Sequence, residues 1–218
     1  DAEMMVYKNI TPESLKQKIC NNWNFPILEW STIQKLIVDI INYSLIYSDA
    51  VGFLFNPTEI GDNVSKTFPP EKWLILQNDF DKLQSTAAIC SHQITRRETL
   101  GDVNKAKQIF QNKDIAIIHP EVHKMEANKL DELLQTKVTY IQSKNDRGYM
   151  LEVLKNVSPK IVLFGCSIIG KDYGAILRRE YNKIALDYGA TLDAWAGLAT
   201  RPWFNEGKQQ NHCMVNKI

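Results

Sequence analysis

Apolar and polar positions alternate along this chain in two rhythms. Ile33, Leu36, Ile37, Ile40, Ile41, Ser44 and Leu45 recur three and four residues apart, the spacing that puts side chains on one face of a helix capped by Ser31 or Thr32. Thr11-Pro12-Glu13-Ser14 reads as an earlier helix start, with Thr11 as N-cap and Pro12 in the first helical position, running to about Asn21. Short apolar runs follow a different rule. Asp49 to Phe55, Ala87 to Ser91, Asp114 to His119, Val138 to Ile141, Lys160 to Phe164 and Lys183 to Asp187 are too short for buried helices and are bounded by turn residues, so they read as buried strands. Between them the pattern predicts helices from Pro70 toward Leu83 and over 103–110, 130–134, 148–157 and 173–181. Helices and strands alternating roughly every 20 to 25 residues imply an α/β fold with a mostly parallel, Rossmann-like sheet and helices on both faces.

Composition agrees with one folded domain over residues 1–218: 44% of residues are hydrophobic and 23% charged. Asp1 to Met5 read as a trimmed or artificial start, which leaves room for further domains. Charge excludes one class of partner. With 26 Lys and Arg against 25 Asp and Glu, no global field draws nucleic acid or an anionic membrane, so any anion must be gripped locally. Cys20, Cys90, Cys166 and Cys213 form no CxxC pair, which fits a reducing compartment better than a disulfide framework or a zinc site. Neither a signal peptide nor a transmembrane run is evident, since Ile33 to Ile46 is interrupted by Gln34, Lys35, Asp39 and Asn42; the expectation is a cytoplasmic protein.

Parallel sheets bind ligands beyond the carboxyl ends of their strands. After Phe164 comes Gly165-Cys166-Ser167-Ile168-Ile169-Gly170-Lys171, where two glycines admit a phosphate to backbone N–H groups at a helix start and Ser167 and Lys171 add polar contacts. The string is one residue short of a phosphate-binding P-loop, because Asp172 stands where the Mg²⁺-binding hydroxyl belongs. After the last strand, Asp187, Gly189, Asp193, Trp195 and Arg201 bring two carboxylates, an aromatic and a guanidinium to the same edge. Carboxylates hold sugar hydroxyls, Arg grips a diphosphate, and Trp stacks on a base or sugar. His119 ends one strand and His92 follows another, each placed to donate to phosphate or act as a base. Cys166 has no neighbouring base in sequence.

The run from Leu163 to Arg201, with FGCSIIGK, IALDYGATLDAWAG and the following Thr200-Arg201-Pro202, resembles the C-terminal part of bacterial GT-D-type glycosyltransferases; weaker echoes lie in 88–93 and 114–119. Together these cover about a third of the chain. The resemblance implies a nucleotide-diphosphate sugar donor, UDP favoured, and a glycan, lipid-linked or protein acceptor, in polysaccharide biosynthesis or protein glycosylation. It carries Gly165, Gly170, Asp187, Gly189, Asp193 and Arg201 into the donor site. The residues' own chemistry then leads us to expect Asp187 or Asp193 on the sugar and an acidic residue or His92 as base on the acceptor. That family's acidic metal motif, for Mn²⁺ or Mg²⁺, has no clean counterpart; Glu59 and Asp62 come nearest. Asp79-Phe80-Asp81 falls in an expected helix and reads as a solvated face. The rival readings are a hydrolase or kinase using the altered P-loop and a non-catalytic nucleotide or glycan sensor. Homo-oligomerisation is open.

Overall fold

The computed structural model describes residues 6, 7, 9, 11, 13–22, 30–53, 88–91, 103–126 and 128–198. Two helices come first, α1 (Glu13–Asn22) and α2 (Trp30–Tyr47), followed by strands β1 (Ala50–Phe53) and β2 (Ala88–Ser91). Next are α3 (Val103–Phe110), β3 (Ile115–His119), a 3₁₀ turn (Val122–Lys124), α4 (Lys129–Leu134) and β4 (Val138–Gln142). The chain continues through α5 (Arg147–Lys155), β5 (Ile161–Phe164), α6 (Ser167–Tyr181), β6 (Ile184–Asp187) and α7 (Ala190–Trp195).

β1 pairs in parallel with β2, and a second, four-stranded sheet runs in the order β4-β3-β5-β6 with every pair parallel. The fold is therefore α/β and Rossmann-like in its strand arrangement, as the alternation of short apolar runs with helical stretches implied. Alternation along the strands sorts the core into two layers. Ile115, Ile117 and Leu163 face α3, α4 and α7, packing on Phe110, Leu130, Leu134, Leu192 and Trp195. Ala116, Ile118, Val162 and Phe164 face α5 and α6, packing on Met150, Leu154, Tyr173 and Ile176. A third cluster sets Ile33, Ile37, Ile40, Ile41 and Leu45 of α2 beside Ile168 of α6, so α2 covers the outside of α6. Leu36 departs from the expected stripe: at its margin, this side chain is 41% exposed.

Two helical boundaries differ from expectation. α6 begins at Ser167, not near Tyr173, because Gly165-Cys166 alone spans strand to helix and Ile168 is drawn into the α2 layer. α7 was not expected at all; the sequence 190–195 reads locally as a site loop, but Leu192, Ala194 and Trp195 bury themselves against the sheet. The expected helix from Pro70 lies outside the described residues.

Candidate functional site

In the order β4-β3-β5-β6, the connection leaving β3 goes toward β4 and the connection leaving β5 goes toward β6. The crevice between the carboxyl ends of β3 and β5 is thus the topological switch point where ligands of open parallel sheets bind. Register pairs Ile118 with Phe164 and Phe164 with Asp187, so Asp187 ends β6 level with those residues, and His119 and Gly165 come one residue further out at the ends of β3 and β5. What each side chain does there differs.

His119 is 3% exposed and Asp193 8% exposed. The ring Nδ1 of His119 accepts the Glu121 backbone N–H at 3.0 Å, which leaves the proton on Nε2, and Nε2 lies 2.6 Å from Asp193 Oδ1. A neutral Nε2–H imidazole therefore donates to a buried carboxylate. Both ring nitrogens are committed, so the expectation that His119 donates to phosphate or acts as a base is corrected. Asp193 likewise serves the interior, where it compensates a polar ring that would otherwise be buried without a partner.

Gly165 and Gly170 were expected to cradle phosphate. An added Cβ at Gly165 would collide with His119 Cδ2 and lie 3.1 Å from Nε2, so the imidazole occupies the space this glycine leaves open. Gly170 is buried within the first turn of α6, where a Cβ would meet Cys166 Cβ at 3.3 Å and Phe164 Cβ at 3.5 Å; its smallness seats the helix on the strand. The turn is shorter than the arc of a P-loop, because α6 already begins at Ser167. Asp172 points elsewhere, buried against Arg147, whose Nε donates to Oδ2 at 3.0 Å and whose guanidinium pKa is raised by that bond.

Trp195 is fully buried among Tyr188 and Phe110, not open for stacking on a ligand. The expected loop placed it at the surface; the apolar face of α7 draws it into the core instead. Cys166 is also interior. Its Sγ donates to the Ile118 carbonyl at 3.0 Å, and burial pushes the thiol pKa up to about 12, so it is a neutral packing group, not a nucleophile.

The open half of the edge is built from Ser167, Lys171, Asp187 and Gly189. Ser167 is exposed and holds φ +57°, a left-handed conformation uncommon for a residue with a Cβ. No side chain caps α6 among the described residues, so its first N–H groups and the positive end of a 15-residue helix face the edge. Lys171 Nζ lies 3.0 Å from Asp187 Oδ2, and the Gly189 N–H reaches Asp187 Oδ1 at 3.1 Å with Gly189 at φ +47°. Both charged side chains remain about one-third exposed.

Pairing between Lys171 and Asp187 and between His119 and Asp193 escaped the sequence reading. One signal did exist: β3 is buried at all five positions, so the histidine ending that apolar run belonged to the interior. His92, Arg201, Glu59 and Asp62 lie outside the described residues. Among the described residues no group of three His, Cys, Asp or Glu is placed to hold a metal ion, and no helix is long and apolar enough to cross a membrane. No protein-family model matches the chain, and no curated protein and no solved structure matches it either.

Proposed function

We propose that the chain is a nucleotide-sugar glycosyltransferase whose donor diphosphate rests at the start of α6 and whose acceptor is a glycan, a lipid-linked glycan or a glycoprotein. The observation that carries this reading is the α6 N-terminus at the switch point, without a side-chain cap among the described residues, with the half-exposed Lys171–Asp187 pair beside it. Helix-start N–H groups and Lys171 match the negative oxygens of a diphosphate. Asp187 accepts from sugar hydroxyls, since a carboxylate has about four acceptor sites and the Lys171 and Gly189 bonds leave some open. Ser167 offers a further hydroxyl at the same turn. UDP is the favoured carrier, on the resemblance of 163–201 to the GT-D type.

Asp193 and His119 leave the proposed chemistry, which assigns Asp187 to the sugar and gives the acceptor's base no residue among those described. That withdrawal favours, as a second reading, a domain that binds a nucleotide sugar without turning it over. A thermal-shift panel of UDP, GDP, CMP, UDP-sugars, ATP, NAD and S-adenosylmethionine, with and without Mn²⁺, tests both. A selective upward shift with one nucleotide diphosphate, lost in Asp187→Ala, is the expected result; release of the nucleoside diphosphate with transfer of the sugar onto an acceptor then separates transferase from sensor. A shift with ATP or NAD alone, or none with any nucleotide, would sink the proposal.

A further inference from the structure

Three connections at the carboxyl edge meet on one imidazole. The turn after β3 contributes the Glu121 N–H to Nδ1, α7 contributes Asp193 to Nε2, and the turn after β5 lays Gly165 against Cδ2 with no room for a Cβ. That last turn is also tied to β3 directly, through the Gly165 N–H and the Cys166 thiol, both donating to the Ile118 carbonyl at 3.0 Å. The ring therefore lies between two fixed hydrogen bonds along one axis and a glycine backbone on its carbon edge. It has no polar atom left for a ligand, so any influence on ligand binding passes through Gly165 into Cys166 and Ser167, the residues that open α6.

We infer that His119 is a positioning residue: held as the Nε2–H tautomer by Asp193 and the Glu121 amide, it sets the height of the Gly165–Ser167 turn and so the direction of the first α6 amides. This rests on reading that turn as the seat of a diphosphate. A ring of this thickness is required. A smaller side chain lets Gly165 sink toward the vacated space, and a ring protonated on Nδ1 would set N–H against the Glu121 N–H. The strained φ of Ser167 is the downstream mark of a turn whose path is imposed by its neighbours.

The test uses His119→Ala, His119→Gln and Asp193→Ala in the full chain. Gln sets an amide N–H near the position of Nε2 and can still donate to Asp193, so it is the rescuing variant. In ring ¹⁵N spectra of the wild type, the histidine resonance lost in both His119 variants should carry its proton on Nε2 with Nδ1 bare; an Nδ1–H tautomer overturns the inference. The backbone amide resonances of Cys166 and Ser167 should move in His119→Ala and return most of the way in His119→Gln. UDP binding, measured by calorimetry on variants still folded at the working temperature, should weaken about tenfold or more in His119→Ala and recover in His119→Gln, as expected for displaced binding groups. A folded His119→Ala that binds UDP as the wild type does overturns it, as do unmoved Cys166 and Ser167 amides whatever UDP does. Wild type that binds no UDP, with amides that move and return as described, removes the diphosphate reading and leaves the positioning role standing. If His119→Ala does not fold, Asp193→Ala, which leaves the Nε2–H of His119 without its acceptor, supplies the same amide and binding comparisons.

Discussion

The two sides of the β5–α6 turn carry the same kinds of residue and put them to opposite uses. On the β3 side a histidine and an aspartate, 74 residues apart in sequence, close on each other in the dry interior. On the β6 side a lysine and an aspartate, 16 residues apart, meet at 3.0 Å in water. Both pairs stand at strand ends on the ligand-binding edge, and both look functional by residue type. What separates them is whether their bonding capacity is spent. His119 has no nitrogen left, whereas Asp187 keeps acceptor capacity and Lys171 keeps solvent access.

The buried side should break hardest. Trp195 anchors α7 in the layer that includes Tyr188, whose ring centroid lies 5.1 Å away. Trp195→Ala is expected to cost about 3–5 kcal/mol in urea unfolding, through lost burial and the cavity left behind. Trp195→Phe should cost much less, because the indole Nε1 has no hydrogen-bond partner among the described residues and removing it forfeits none. Equal losses for the two variants would show that the indole nitrogen is bonded after all.

Asp193→Ala comes next, at about 1–3 kcal/mol, since it leaves the buried Nε2–H of His119 without an acceptor. Asp193→Asn retains a carbonyl oxygen for that proton and should recover much of the loss. If Ala and Asn are indistinguishable, the His119 bond is not what Asp193 contributes to the fold.

Most of the fold was legible because burial in parallel strands writes itself as short apolar runs. Ile115 to Ile118 and Val162 to Phe164 are such runs, and both became central strands. The start of α6 was not legible. Glycine is read locally as a loop former, but Gly170 is small in order to let the helix touch Phe164, a fact that exists only after folding. α7 was obscured for a related reason: six residues give too little periodicity to announce a helix, and the buried face of Trp195 is decided by Phe110 and Tyr188 from distant elements. At the site, sequence located the edge through strand ends and could not tell which polar groups face inward. Residue type is local; the partner that consumes a hydrogen bond is not.

Cys166 sharpens the contrast on the buried side. Its thiol is held neutral up to about pH 12 by burial, while the unfolded thiol ionises near its ordinary value of 9. Because the folded pKa is the higher, stability is full below the unfolded pKa and declines as pH rises through the interval between the two. The decline from this group should approach roughly 1.4 kcal/mol per pH unit above pH 9. Buried Tyr173 and half-buried Tyr140, also raised by desolvation, add their own loss at higher pH. Cys166→Ala should flatten the first part of this slope, and the native thiol should react with iodoacetamide at the rate of unfolding. Fast labelling of Cys166 in the folded protein would contradict its placement.

The smallest effect on stability belongs to the exposed pair. Water screens the Lys171–Asp187 contact, so Lys171→Ala is expected to change unfolding free energy by about 0–1 kcal/mol, with a double-mutant cycle against Asp187→Ala giving a coupling in the same range. Its effect on ligands runs the other way. A residue that contributes little to the fold while standing beside an uncapped helix start is free to be selected for binding, so Lys171→Ala should lower UDP affinity at nearly unchanged Tm. Asp193→Asn should lower Tm first, and affinity only as far as the Gly165–Ser167 turn moves with it. If Lys171→Ala instead destabilises the protein by several kcal/mol, the pair is a strut like His119 and Asp193, and the division between a bonded interior and an available edge does not hold.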